Sequence, residues 1–269
     1  MIDFRRVKAV ISDMDGVLWR GDQPLAGLAA FFDRMRTWGI PFALATNNSR
    51  LSPRDYVAKL AGMGIDGVAE AQIVTSGTVT AAYLQRHFPA GRVIHVLGGD
   101  GLRELVAGAG YTVTSDFDPT AAAVTVGMDQ HLTYAKLKHA ALTLQAGAAF
   151  IATNTDATFP APEGLVPGAG AIVAALATAS GRTAISMGKP DAPMFDAALA
   201  ALNATPESAL MIGDRLNTDI DGAAAVGLQT ALVLTGVSTR ADAESAALPP
   251  DGIFDDLPAL LAAWAANQA

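Results

Sequence analysis

Val7-Lys8-Ala9-Val10-Ile11-Ser12-Asp13-Met14-Asp15-Gly16 is the stretch on which the fold turns. Its first six residues are a short apolar run rich in β-branched side chains, the composition of a buried strand. Residues i and i+2 of a strand share a face, so Asp13 and Asp15 are carried to the same side. The carboxyl end of a strand in an open α/β sheet borders the crevice where ligands bind. Two carboxylates in one pocket repel each other unless a cation lies between them or one holds a proton. A polar turn after a strand, which Asp-Gly favours, is the plainer alternative.

The pattern that begins here continues along the chain. Strand-like runs cover 7–12, 41–46, 92–97, 121–127, 149–153, 184–188, 208–213 and 229–234. Helical patterns lie between them, near 25–38, 52–62, 78–87, 101–109, 133–147, 169–179, 193–202 and 218–226. Such alternation predicts an α/β fold, doubly wound and mostly parallel, with a Rossmann-like core. Polar strand ends gather in two distant blocks, 13–48 and 188–219. The expected organisation is a discontinuous catalytic core, residues 1–79 and 183–269, interrupted by an inserted α/β domain over 80–182. One continuous sheet is the alternative. Ile253 to Ala269 reads as a turn followed by a closing helix.

Composition narrows the function. The chain has 269 residues, of which 51% are hydrophobic and 16% charged, enough for a substantial core. It has no cysteine, which excludes disulfides, thiolate metal sites and a cysteine nucleophile, and fits a reducing cytoplasm. Net charge is −8 without a basic cluster, which argues against nucleic acid and anionic membrane as partners. No apolar run approaches membrane-spanning length, and the first eight residues carry no signal-like core. An acidic protein that binds phosphate must concentrate positive potential locally, by metal, lysine or helix N-termini.

Three further strand ends carry chemistry. Phe42-Ala43-Leu44-Ala45 runs into Thr46-Asn47-Asn48-Ser49, a hydroxyl and amides able to donate to an anion, or merely to cap the helix that Ser52-Pro53 opens. Lys189, in Gly188-Lys189-Pro190, can act as a point charge for phosphate or carboxylate, although a lone loop lysine is usually just solvated. In Leu210-Met211-Ile212-Gly213-Asp214, the aspartate follows a buried strand and faces the crevice. Asp219 fits the start of the next helix, where the dipole favours an acid. Asp13, Asp15 and Asp214 together supply the hard oxygen ligands that Mg²⁺ prefers.

These motifs, Asp13-x-Asp15-Gly16, Thr46-Asn47-Asn48, Gly188-Lys189-Pro190 and Gly213-Asp214-Arg215-x-x-Thr218-Asp219, occur in the order found in the haloacid dehalogenase (HAD) superfamily. The insert, with Ile151-Ala152-Thr153-Asn154-Thr155-Asp156 and Gly164-Leu165-Val166-Pro167-Gly168-Ala169-Gly170, resembles the cap of its type IIA branch. That branch holds NagD, 4-nitrophenylphosphatase and phosphoglycolate phosphatase. Any one motif is weak; four in order at strand ends are specific. Asn217 departs from relatives that often carry aspartate there.

The resemblance implies a phosphatase for small phosphorylated metabolites. By it, Asp13 is the nucleophile that forms an aspartyl-phosphate, and Asp15 the acid–base. Mg²⁺ is held by the Asp13 carboxylate, the Asp15 backbone carbonyl and Asp214, with Asp219 supporting it through water. Thr46, the Asn47 amide and Lys189 face the phosphoryl oxygens, and Lys189 also orients Asp13. The cap lies over the pocket, with Asn154 and Asp156 candidates for touching the leaving group or, more plainly, a capping turn. The insert could carry a homodimer interface, although no stripe singles one out. His87, His95, His131 and His139 show no ligand spacing. Gly98-Gly99-Asp100-Gly101 lacks dinucleotide spacing. Three rivals remain: a phosphoryl-receiver module, which needs about half this length; a metal-independent dehalogenase, for which Asp15 and Asp214 have no use; and a catalytically silent binding protein, against which the intact motifs argue.

Overall fold

The computed structural model describes residues 1–161 and 164–267. The chain forms two compact units. The first takes Met1–Thr46, Pro53–Val74 and Lys189–Ala269; the second takes Asn47–Ser52 and Thr75–Gly188. The second unit is thus longer than the insert expected at 80–182, of which residues 162 and 163 lie outside the described residues, as do 268 and 269 of the expected tail.

The first unit is built on a six-stranded sheet ordered Gly252–Phe254, Gln229–Val233, Ala209–Gly213, Ala9–Ser12, Phe42–Thr46 and Ile73–Thr75. The Ala9–Ser12 strand is parallel to both its neighbours, and the pairings continue parallel through Gln229–Val233 to Gly252–Phe254. All four residues of the central strand are buried, which explains its unbroken apolar reading. Ser12 pairs with Ile212 on one side and Leu44 on the other. This register brings the strand ends before Asp13, Asp214 and Thr46 to one edge of the sheet. Helices Leu28–Trp38 and Leu257–Ala266 contribute Phe31, Phe32, Leu260 and Trp264 to the core, with Phe4 stacked on Trp264 at 5.2 Å between ring centres. The closing helix begins at Asp256, whose carboxylate accepts the Ala259 amide.

The second unit has its own parallel sheet of five strands, ordered Ile185–Ser186, Ala149–Ala152, Ala123–Val126, Val93–Leu97 and Thr112–Thr114. Leu97, Val124, Leu144, Phe150, Ile172 and Leu176 lie in its core. An antiparallel hairpin, Thr158–Ala161 with Gly164–Pro167, stands apart from that sheet. The alternative of one continuous sheet is therefore wrong.

Every expected strand is present, but the run at 184–188 pairs with Ala149–Ala152 instead of joining the core. An apolar run specifies a strand, not which sheet accepts it. Five short features were not anticipated: the Trp19–Arg20/Gln23–Pro24 hairpin, Ile73–Thr75, Thr112–Thr114, the Thr158–Pro167 hairpin and Gly252–Phe254. The last adds an edge strand where a turn was expected, because Asp251-Gly252 reads as a turn more strongly than Ile253-Phe254 reads as a strand. Among the described residues no helix is long and apolar enough to cross a membrane.

Candidate active site

At the carboxyl edge of the first sheet, three acidic side chains and one lysine converge. Asp13, Lys189, Asp214 and Asp219 are all buried. Lys189 Nζ donates to Asp13 Oδ1 at 2.5 Å and to the Ala45 carbonyl at 3.2 Å, and it is ion-paired with Asp219 Oδ1 at 2.7 Å. Lys189, which the sequence left between a point charge and a solvated loop residue, is thus a built part of the site. Burial alone would lower its pKa, but Asp13 and Asp219 outweigh that effect and raise it, so it stays an ammonium.

The carboxylates outnumber that ammonium. Burial, opposed by Lys189 and reinforced by Asp219 and Asp214, raises the Asp13 pKa well above the usual carboxylate value. Burial, and then Asp219, push Asp214 up to about 6. Such a site holds an extra proton or accepts a cation.

Its donor set fits a hard cation. Asp13, Asp214 and Asp219 each offer a carboxylate oxygen, and these oxygens lie within 4.8 Å of one another. Asp214 Oδ2 accepts the Val237 amide at 2.8 Å, while its Oδ1 is buried and has no hydrogen-bond partner among the described residues. An orphaned carboxylate oxygen beside two other acids is the feature a metal ligand leaves when considered without its ion. Asp219 lies at the start of a helix, as the sequence predicts, and is buried there. It lies in the turn Leu216–Ile220, and its Oδ2 accepts the amides of Asp214 and Arg215, both at 3.1 Å. With Oδ1 on Lys189, both its oxygens are engaged by the protein, which suits a supporting role behind Asp214.

Two glycines make room for Asp214. A Cβ on Gly236 would lie 1.8 Å from Asp214 Oδ2, and one on Gly16 would lie 2.6 Å from the same atom. Gly16 also has φ of +92°, a backbone region that side chains disfavour. The Asp-Gly pair of the opening stretch thus serves the distant Asp214. Gly236 was not anticipated; only a structure reveals that its α-carbon borders the carboxylate.

Asp15 faces a different neighbour. The indole Nε1 of Trp19 donates to Asp15 Oδ1 at 2.9 Å. Part of Asp15 is open to solvent, yet the surrounding protein raises its carboxyl pKa against the lowering pull of Lys59 and the indole. Thr46 ends its strand, buried, on the neighbouring strand to Asp13. Trp19 also escaped the sequence reading. Its signal was Trp19-Arg20-Gly21-Asp22-Gln23-Pro24, a two-residue Gly-Asp turn of the hairpin type.

The remaining expected residues meet within the second unit. Asn47 Nδ2 lies 3.2 Å from each carboxylate oxygen of Asp156. Asn154 Nδ2 donates to the Asn47 carbonyl at 2.7 Å, and its Oδ1 accepts the Asp156 amide at 3.1 Å. Ser76 Oγ donates to the same Asn47 carbonyl at 2.6 Å. Asn154 and Asp156 therefore hold the segment that follows Thr46. Gly101, in the Gly98–Gly101 run, is a close-approach residue: a Cβ there would lie 2.3 Å from the Arg50 carbonyl oxygen.

Comparison with known proteins identifies the family. A family model described as haloacid dehalogenase-like hydrolase matches residues 10–112, and a second, HAD-hydrolase-like, matches 186–260. The chain is 36% identical over 253 residues to an acid sugar phosphatase of Staphylococcus aureus, covering 94% of this chain and 96% of that protein. Its structure matches 4-nitrophenylphosphatase from Thermotoga maritima with a TM-score of 0.90 and 34% identity, covering 100% of this chain and 99% of that one. It matches a glycerol phosphate phosphatase from Mycobacterium tuberculosis, crystallised with magnesium, with a TM-score of 0.87 and 33% identity, covering 96% of this chain and 77% of that one. Similar along nearly its whole length to proteins of one kind, the chain belongs to the haloacid dehalogenase-like hydrolases, in their type IIA branch, and is a phosphatase.

Proposed function

We infer that the protein is a Mg²⁺-dependent phosphatase that hydrolyses small phosphate monoesters through an aspartyl-phosphate on Asp13. The observation that carries this reading is the buried Asp13 carboxylate held by Lys189 beside the unpartnered oxygen of Asp214. In the first step an Asp13 oxygen forms a bond to phosphorus as the bond from phosphorus to the ester oxygen breaks. Asp15, as the acid, gives its proton to the departing alkoxide. In the second step Asp15, now the base, takes a proton from a water that attacks phosphorus. The bond to Asp13 breaks, and inorganic phosphate leaves.

Lys189 fixes the Asp13 rotamer and supplies positive charge near the transferring group. The Thr46 hydroxyl and the Asn47 amide donate to equatorial phosphoryl oxygens, and Asn154 and Asp156 keep Asn47 in place. Asp13, Asp214 and the Asp15 carbonyl would hold Mg²⁺, with Asp219 behind them. When bound, the ion compensates the charge between an anionic nucleophile and an anionic substrate. The relatives' names direct attention to sugar phosphates and glycerol phosphate as substrates, in a cytoplasmic setting that the absence of cysteine suits.

The test is phosphate release from a panel of metabolite monoesters, with and without chelator. Sustained release that EDTA stops and Mg²⁺ restores is expected. A single phosphoryl group retained without turnover would favour the receiver reading, and turnover indifferent to chelator would remove the metal.

A further inference from the structure

Asp15 is the one acidic residue of the site whose side chain is not locked among the others; its contact is Trp19. The Trp19 side chain is fully buried, and two residues of the helix Pro53–Gly62 pack against its ring. Tyr56 stacks on it at 6.3 Å between ring centres, and the Lys59 ammonium lies 4.9 Å from its ring centre. Lys59 is itself tied to the hairpin, donating to the Gly21 carbonyl at 2.7 Å and facing Asp22 at 3.5 Å. The backbone adds a second constraint: the Gly16 amide donates to the Trp19 carbonyl at 2.7 Å, and Asp15 and Trp19 form an isolated bridge. The indole is thus a rigid arm that ends on Asp15 Oδ1.

We propose that Trp19 is a positioning residue for the acid–base Asp15, braced by Lys59 and Tyr56. This rests on the role given to Asp15 above. An indole N–H donates and cannot accept. Asp15 Oδ1 is therefore confined to accepting, and the transferable proton resides on Oδ2. A cation on the ring face draws on the π density and strengthens the N–H as a donor. Without this arm, a partly exposed aspartate samples several rotamers, few of which reach the leaving oxygen. A buried tryptophan also needs some partner for its N–H, so a purely structural contact is the competing account.

The two accounts differ in leaving-group dependence. A nitrophenolate leaves without a proton; an alkoxide such as that of glycerol phosphate needs one. In Trp19→Phe, kcat/KM for glycerol phosphate is expected to fall at least ~tenfold more than kcat/KM for 4-nitrophenyl phosphate, part of the ~10²–10⁴-fold that acid catalysis supplies. The Asp15→Asn enzyme, assayed in parallel, should show the same selective loss. Adding Trp19→Phe to it should bring no further selectivity. If Trp19→Phe does not fold, β-(benzothienyl)alanine at position 19 keeps the ring and deletes only the donor. Equal losses on both esters in the position-19 variant, while Asp15→Asn remains selective, would overturn the role of Trp19. Equal losses in Asp15→Asn would instead overturn the acid role of Asp15.

Discussion

Lys189 Nζ lies 2.5 Å from Asp13 Oδ1, and the two side chains are only 3% and 12% exposed. An ammonium and a carboxylate withdrawn this far from water depend on each other. The same lysine reaches Asp219 at 2.7 Å, so one cation serves two acids, with Asp214 adjoining.

Removing that cation should therefore cost both stability and catalysis. Lys189→Met is expected to lower the unfolding free energy of the metal-free protein by about 3 kcal/mol near neutral pH, the penalty for stranding buried charge. It should lower turnover at least ~10²-fold through lost electrostatic stabilisation. Urea unfolding and steady-state assays check both. An unchanged unfolding midpoint would mean that the lysine is not balancing the acids.

The raised pKa values give a signed pH dependence. Burial, and then Asp219, push the Asp214 carboxyl up to about 6 in the fold, against an ordinary 3.8. The folded state thus binds more protons than the unfolded state between those values, so metal-free stability falls as pH rises through them. Two pKa units correspond to about 3 kcal/mol. Asp13, raised for similar reasons, adds to the same trend. The metal-free protein should melt lower at about pH 7.5 than at about pH 5, and Mg²⁺ should raise the midpoint more at the higher pH, where the carboxyls are ionised. Thermal melts with and without Mg²⁺ at both pH values provide the check.

The glycines around Asp214 predict a steric lesion. A Cβ at Gly236 would meet Asp214 Oδ2, Cγ and Cβ at 1.8, 2.3 and 2.5 Å, a contact that the amide-bound carboxylate cannot yield to in place. Gly236→Ala should weaken Mg²⁺ activation by ~10–100-fold, as loss of a ligand's support typically does. Gly62→Ala is the control, because a Cβ there meets nothing within 4 Å. Equal Mg²⁺ titration curves for the two variants would contradict the role given to Asp214.

Much of this was legible in sequence because strand ends are. Asp13, Thr46 and Asp214 each follow an apolar run long enough to be read as a strand, and parallel register then puts those ends side by side. Lys189 was harder. Its partners Asp13 and the Ala45 carbonyl lie more than a hundred residues away along the chain, which no local pattern records. Trp19 sits in two-residue strands, below the length at which periodicity speaks, and its one signal, the Gly-Asp turn, went unread. Gly236 has no local signal at all, since its role is a distance to Asp214. The strand at Ile185–Ser186 was read correctly as a strand and assigned to the wrong sheet, because hydrophobicity does not name a partner.

If Asp13 carries the phosphoryl group, that group can be trapped on it. The enzyme is mixed with a radiophosphate-labelled monoester and Mg²⁺, quenched in acid within one turnover, digested and mapped. Label is expected on the peptide that contains Asp13, more of it in Asp15→Asn, where hydrolysis of the intermediate is slowed. None is expected in Asp13→Asn, which should fold but not turn over. Label on another residue, or sustained phosphate release from Asp13→Asn, would contradict the role of Asp13.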